Sequence, residues 1–171
     1  DVVSYEPDPW HFKMLQDNLG LNSVASKVSP RNKAVSKTVG ELEFIRVLGN
    51  TTGSHLAGAK KDPYGELEKF MVSLDAFKDI MKEADLLKID VEGHEADILL
   101  SSEKSNWLGT DAIVEIGTPE NARLVFEHMQ NIGVNLFSQK KSWDKVDELG
   151  DVPTSYKEGS LFIGLDSSMP W

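Results

Sequence analysis

Cysteine is absent from the 171 residues, so disulfides, thiolate nucleophiles and Cys-type zinc sites are all excluded. That suits a reducing compartment, and a cytoplasmic location is the expectation. No apolar run approaches the roughly 20 residues needed to cross a bilayer, and no signal-peptide pattern is visible. Positive charge is scarce: 18 Lys and Arg stand against 28 Asp and Glu, for a formal net charge of -10. Nucleic acid and anionic membranes both call for a basic surface, so neither is the expected main partner. Aromatic residues make up only 8%, and Trp10, Trp107, Trp143 and Trp171 are scattered. They form no stacking platform in sequence and are expected to pack locally. Repeats and low-complexity tracts are also missing. What remains is an ordinary globular composition, 40% apolar and 27% charged, long enough for one domain over residues 1–171 with a sizeable core.

Strand and helix patterns alternate almost throughout, which points to an α/β sheet built from crossover units. Val2 to Tyr5 reads as a buried strand. A helix follows, with Asp8 as cap, Pro9 at its first position, a stripe of Phe12, Leu15 and Leu19, and Gly20 as terminator. A short strand is expected around Lys33 to Val35. Glu41 to Val47 alternates with Leu42 and Phe44 inward, and Phe70 to Val72 can pair with it as an inserted hairpin. A Gly-, Ser-, Thr- and Lys-rich loop lies between them, containing the triplet Asn50-Thr51-Thr52, a sequon that carries no weight here. Leu74 to Lys82 suggests a short helix. Leu86 to Val91 is the strongest strand, running into a helix with Ala96, Leu99 and Leu100. Ala112 to Ile116 is a further strand. Thr118 and Pro119 open a helix with stripe Ala122, Val125, Met129 and Ile132, closed by Gly133. Val134 to Phe137 and Leu161 to Leu165 supply the last strands, with a polar loop between them.

In such folds ligands bind beyond the carboxyl ends of the parallel strands, so the polar residues that end a strand and begin a helix carry the chemistry. Glu6-Pro7-Asp8-Pro9 is the first such cluster. A carboxylate there can accept the two hydroxyls of a ribose, and the prolines stiffen the turn. Taken alone, a helix cap at Asp8 and a solvated turn residue at Glu6 are the simpler reading, because acidic residues are common near helix starts. Asp90-Val91-Glu92-Gly93-His94-Glu95 is the second. Four ionisable side chains at one junction suit proton transfer or metal binding. A solvated acidic helix start accounts for Glu92 and Glu95, but less well for Asp90, which directly follows the apolar run. Gly53-Ser54-His55 in the long loop is the third, and solvation is the simpler reading of its His. Glu115, inside an apolar strand, is expected near the ligand edge or beside a cation.

These clusters, in this order, resemble the FkbM-type methyltransferase family. The matching pieces are Ser4-Tyr5-Glu6-Pro7-Asp8-Pro9, Asn22, Lys33-Ala34-Val35-Ser36 with Gly40, Val72-Ser73-Leu74-Asp75, Leu87 to Glu95, and Ala112 to Glu115 with Ile116. The run Lys88-Ile89-Asp90-Val91-Glu92-Gly93-His94-Glu95 is the most specific. The resemblance implies a doubly wound, mostly parallel, Rossmann-like sheet that transfers the sulfonium methyl of S-adenosylmethionine, typically to a hydroxyl oxygen of a small molecule or glycan. It further implies that Glu6 and Pro7 bind the cofactor ribose, that Ala34 and Val35 lie near the adenine, and that Asp90 lies near the methionine or acceptor end. The resemblance leaves the base open between His94 and Glu92; His94 is the expected one, with Asp90 as its orienting partner, and no metal ligands are expected. Glu6 and Asp90 should end adjacent parts of one parallel sheet.

The family's first strand and its Asp-x-Gly-x-x-x-Gly loop would precede Glu6, and this chain opens without Met directly in a strand. The expectation is therefore an N-terminally shortened domain with weak cofactor affinity. Its open strand edges would favour self-association. Two rival readings stand beside methyl transfer: a binding or assembly module of the same fold, and a metal-dependent enzyme using Asp90, Glu92, His94 and Glu95.

Overall fold

The computed structural model describes residues 1–49, 53–59 and 65–171. The sequon Asn50-Thr51-Thr52 and part of the long loop lie outside the described residues. The chain divides into two compact units, Asp1–Ala76 and Phe77–Trp171.

In the first unit, β1 (Val2–Tyr5) pairs in parallel with β2 (Val28–Arg31). Between them runs α1 (Pro9–Leu21). Asp8 caps α1 as expected, accepting hydrogen bonds from the backbone N–H groups of Trp10 and His11. Gly20 does not end the helix. It lies within the last turn, and Asn22 takes the cap position, its backbone N–H bonding to the Leu19 carbonyl. The apolar face of α1 is only half-buried. Nor is β1 a buried strand: Val2 is 55% and Val3 51% exposed. An apolar run shows that a strand can be covered, whereas the number of neighbours decides whether it is, and among the described residues β1 pairs with β2 on one side and with no other strand. Sequence reading also passed over β2, because Ser29, Pro30 and Arg31 interrupt the apolar pattern. Proline is tolerated there because this is an edge strand.

The second sheet of this unit has the order β3-β6-β4-β5, with β3 (Ala34–Ser36), β4 (Gly40–Val47), β5 (His55–Leu56) and β6 (Leu67–Ala76). The long β4/β6 ladder is antiparallel and sets Leu42 opposite Val72 and Phe44 opposite Phe70, which confirms the alternation read from sequence. Ala34, Phe44, Leu56, Val72 and Leu74 form its core. The helix expected from Leu74 is shorter, because β6 runs on to Ala76, parallel to β3. Only α2 (Phe77–Met81) follows.

The second unit holds a five-stranded sheet, β10-β9-β11-β8-β7. It contains β7 (Leu86–Ile89), β8 (Asp111–Glu115), β9 (Asn135–Ser138), β10 (Asp144–Lys145) and β11 (Ser160–Gly164). Only β7 and β8 are parallel; the other three pairings are antiparallel. The sheets are therefore mixed, which corrects the mostly parallel expectation. β10 also adds a strand inside what looked like a featureless loop. The core is sealed by α4 (Pro119–Ile132), whose Ala122, Val125 and Met129 are fully buried along with Ala112, Val114, Leu161 and Ile163. Thr118 caps α4, and Gly133 closes it with φ 69°, a left-handed conformation that glycine adopts without strain.

Candidate functional site

At the end of β1 the chain turns sharply through Glu6 and Pro7. The Glu6 N–H donates to the Arg31 carbonyl, extending the β1/β2 ladder by one residue. Asn32 Nδ2 lies 2.9 Å from the Glu6 carbonyl and 3.1 Å from that of Pro7, pinning the turn. Glu6 Oε1 accepts the Asp8 N–H at 2.8 Å, and its second oxygen accepts no hydrogen bond among the described residues. Burial pushes the Glu6 carboxyl above its ordinary value, against the Asp8 N–H and His11, which lower it. A half-buried carboxylate with an oxygen to spare can accept hydroxyl donors.

Asp8, two residues on, is fully buried. Arg46 on β4 grips it with Nε 2.6 Å from Oδ2 and Nη2 2.5 Å from Oδ1, while Arg46 Nη1 binds Glu68 on β6 at 2.6 Å. The guanidinium also lies 4.9 Å from the centre of the Phe70 ring. Burial disfavours the charged form of Asp8, but Arg46 and the N–H groups of Trp10 and His11 outweigh it and hold the carboxyl below its usual value. Asp8 is thus a buried structural anchor, and Arg46, which sequence reasoning missed, holds it. The signal was slight, one basic residue in an alternating strand. Ala34 is buried and Val35 half-buried in β3. Beside them Lys33 Nζ pairs with Asp75 Oδ1 at 2.7 Å, and the Tyr5 hydroxyl donates to Asp75 Oδ2 at 3.3 Å.

The second cluster follows β7. That strand stops at Ile89, two residues short of expectation, and occupies the sheet edge with Leu86 58% exposed. Asp90 is exposed, 3.5 Å from Lys88 Nζ. Its position directly after the apolar run had set it apart from a solvated helix start, yet at the end of this edge strand it is exposed. β1 and β7 are also hydrogen-bonded into different sheets, so Glu6 and Asp90 do not end strands of one parallel sheet.

The turn from Asp90 into α3 (Glu95–Leu99) is strained: Glu92 has φ 53°, a left-handed conformation costing a non-glycine residue about 1–2 kcal/mol, and Gly93 has φ 103°. The geometry is held from within. Glu95, 2% exposed, accepts the Gly93 N–H at 2.9 Å on Oε1 and Asn121 Nδ2 at 2.9 Å on Oε2. Asn121 also reaches the Gly93 carbonyl at 3.2 Å. The solvated reading of Glu95 is therefore wrong; it is a buried strut, and Asn121 on α4 is its unforeseen partner. His94 is buried, with Nδ1 3.4 Å from Asp97 Oδ2, so Asp97 rather than Asp90 faces that nitrogen. Among the described residues no group of three or more His, Asp or Glu side chains could hold a metal ion.

Two other candidates fare differently. His55 is a buried strand residue, not a solvated one, with Nδ1 2.8 Å from the Gly53 carbonyl. Glu115 ends β8, half-buried and opposite Ser160.

The "Methyltransferase FkbM domain" family matches residues 1–142, most of the chain and both clusters. The chain belongs to the FkbM methyltransferase family. Among curated relatives it is 25% identical over 177 residues to Methyltransferase sdnD of Sordaria araneosa, an alignment covering 83% of this chain and 67% of that protein. Among solved structures it is similar in fold to the crystal structure of Methyltransferase FkbM from Methylobacillus flagellatus KT, with a TM-score of 0.50 and 13% identity. That likeness covers 94% of this chain but 36% of the other, so the chain spans about a third of the solved relative's length. FkbM membership unites the Glu6 turn and the Asp90–Glu95 turn in one family pattern. It does not by itself assign a role to either.

Proposed function

We propose that this FkbM-family chain takes part in S-adenosylmethionine-dependent methyl transfer to a hydroxyl oxygen of a small molecule or glycan. The observation carrying the proposal is the Glu6 turn inside the family match: a pinned, half-buried carboxylate with one oxygen open to a hydroxyl donor. The residues present suit a ribose diol, which needs an oriented acceptor and no cation. Glu6 would hold that diol, Pro7 would keep the turn rigid, and Ala34 and Val35 would offer an apolar surface to the adenine. When bound, S-adenosylmethionine supplies an electrophilic methyl that already bears a good leaving group. The protein's task is then alignment, for which well-oriented systems gain roughly 7–11 kcal/mol, and removal of the hydroxyl proton. His94 is the proposed base, with Asp97 stabilising the charged ring; Glu92 is the alternative base, and Asp90 orients the acceptor end.

The test uses the gene product in full. Calorimetry with S-adenosylhomocysteine should show at least about tenfold weaker binding for Glu6→Gln. Transfer of a radiolabelled methyl should fall by about 10²–10⁴ for His94→Gln, with cofactor binding unchanged. Undiminished binding by Glu6→Gln would sink the ribose role.

A second reading rests on a separate observation. Among the described residues β1 pairs only with β2, and β7 only with β8, leaving an open edge on each. Such edges template strand addition, and self-association through them is our proposal for assembly. Sedimentation at rising concentration tests it, and a monomer throughout would exclude it.

A further inference from the structure

The tryptophans do not all pack apart. In the second unit Trp143 and Trp171, 28 positions apart in sequence, meet edge to face with ring centres 6.2 Å apart and planes at 80°. Trp171 also stands edge-on to Phe162 at 5.3 Å, and Phe162 contacts Phe137 at 6.1 Å. The two indoles form a corner, and buried Phe137 is among the residues that line it. They line an open surface depression of about 510 Å³. The other walls are Asp144, Lys145, Met169 and three serines.

This lining has a definite chemistry. One carboxylate and one ammonium cancel in charge, so neither an anion nor a cation is favoured. Aromatic faces beside several hydroxyl and charged hydrogen-bonding groups suit a ligand that is apolar on one face and rich in hydroxyls at its rim. A purely apolar ligand would leave Asp144, Lys145 and the serine hydroxyls desolvated without partners, which disfavours it. The backbone is also held in an uncommon shape to present this wall. Ser142 has φ 59° and Trp143 φ 69°, two successive left-handed non-glycine residues. Trp171 is 68% exposed although it is a large apolar side chain.

From these observations we infer that the hollow is a subsite for a sugar ring of a neutral oligosaccharide. Its place in the sheet adds a function. Asp144 faces Ser138, Leu161 also faces Ser138, and the next residue, Ser160, faces Glu115 at the end of β8. Because β8 runs parallel to β7, the Ser142–Trp143 turn lies at the same sheet end as the Asp90–His94 turn. β10 and β7 are opposite edges of the five strands, so the two sites are separated by about 19 Å at usual strand spacing. A single sugar cannot span that distance, but several linked rings can. The hollow anchors an oligosaccharide remote from the ring that would be methylated. This acceptor role rests on the methyl-transfer reading; the binding itself does not.

The experiment titrates cellotetraose, maltotetraose and chitotetraose, without cofactor, into the protein while following the four indole N–H resonances by NMR. At least one sugar should shift Trp143 and Trp171 saturably and leave buried Trp107 unmoved. Trp171→Ala should weaken binding by about tenfold or more. Trp171 is largely exposed, so the variant should fold, and an unchanged Trp107 resonance checks this. Trp143→Phe, which keeps a ring of smaller area, should weaken binding less than Trp171→Ala. The inference falls if none of the three sugars moves these resonances at millimolar concentration. It also falls if Trp171→Ala binds as tightly as the parent, or if p-cresol alone shifts the pair. Because no cofactor is present, none of these failures bears on methyl transfer.

Discussion

Replacing Arg46 with Met removes both charge-assisted hydrogen bonds to Asp8 while keeping a long apolar stem against Phe70. The Asp8 carboxylate then stays fully buried, served among the described residues by the N–H groups of Trp10 and His11 and by His11 Nδ1 at 3.6 Å. Breaking a buried pair by deleting one partner costs about 3–5 kcal/mol, because the remaining charge has no compensation. Arg46 is 21% exposed, so water reaches one side of the pair and the lower figure, about 3 kcal/mol, is expected. For a protein of this size that corresponds to a fall in melting temperature of roughly 6–12 °C. Urea unfolding followed by far-ultraviolet circular dichroism measures it directly. Asp8→Ala/Arg46→Met should lose less than the sum of the single variants, since the second change no longer strands a charge. A loss below about 1 kcal/mol for Arg46→Met would show the pair behaving like a surface ion pair, and the anchor argument would be wrong.

Asp8→Asn retains a capping side chain but cannot carry charge. Because the folded Asp8 carboxyl is held below its usual value, its stabilisation is complete above the unfolded value of about 3.9 and is lost as pH falls through the lower folded one. The variant should therefore be less stable at neutral pH and show a flatter stability curve below about pH 4, measurable by urea midpoints. Glu6 has the opposite sign. Its raised carboxyl costs stability once pH passes the folded value, so Glu6→Gln should unfold at slightly higher urea near neutrality. Asn121→Ala strips a donor from buried Glu95 and frees the Gly93 carbonyl, and should cost about 1–3 kcal/mol, with faster amide exchange across the Asp90–His94 turn. Gly133→Ala forces a side chain into a left-handed cap, and should lower stability by about 1 kcal/mol in the same urea assay.

Much of this molecule was legible wherever physics acts over a few residues. Asp8 and Thr118 could be named as caps because a short oxygen side chain before a Pro-led apolar stripe has few other uses. The β4/β6 pairing followed from period-two alternation, and the methyltransferase family from the run Lys88 to Glu95. The candidate site was legible only as two clusters. Glu95 looked like a solvated helix start because its satisfying partner, Asn121, is 26 positions away, and Asp8 looked like a mere cap because Arg46 is 38 positions away.

The sequence by itself determined most of the longer elements, the Asp8 and Thr118 caps and the family, since periodicity, capping and motif are encoded within one strand or one turn. Tertiary structure alone decided which strands became edges, how parallel and antiparallel pairs mix, which carboxylates are buried, and that Trp143 and Trp171 share a corner. Those outcomes depend on which distant segments supply hydrogen bonds and cover. A buried charge or an open strand edge is a property of neighbours, and no stretch of chain specifies its neighbours alone.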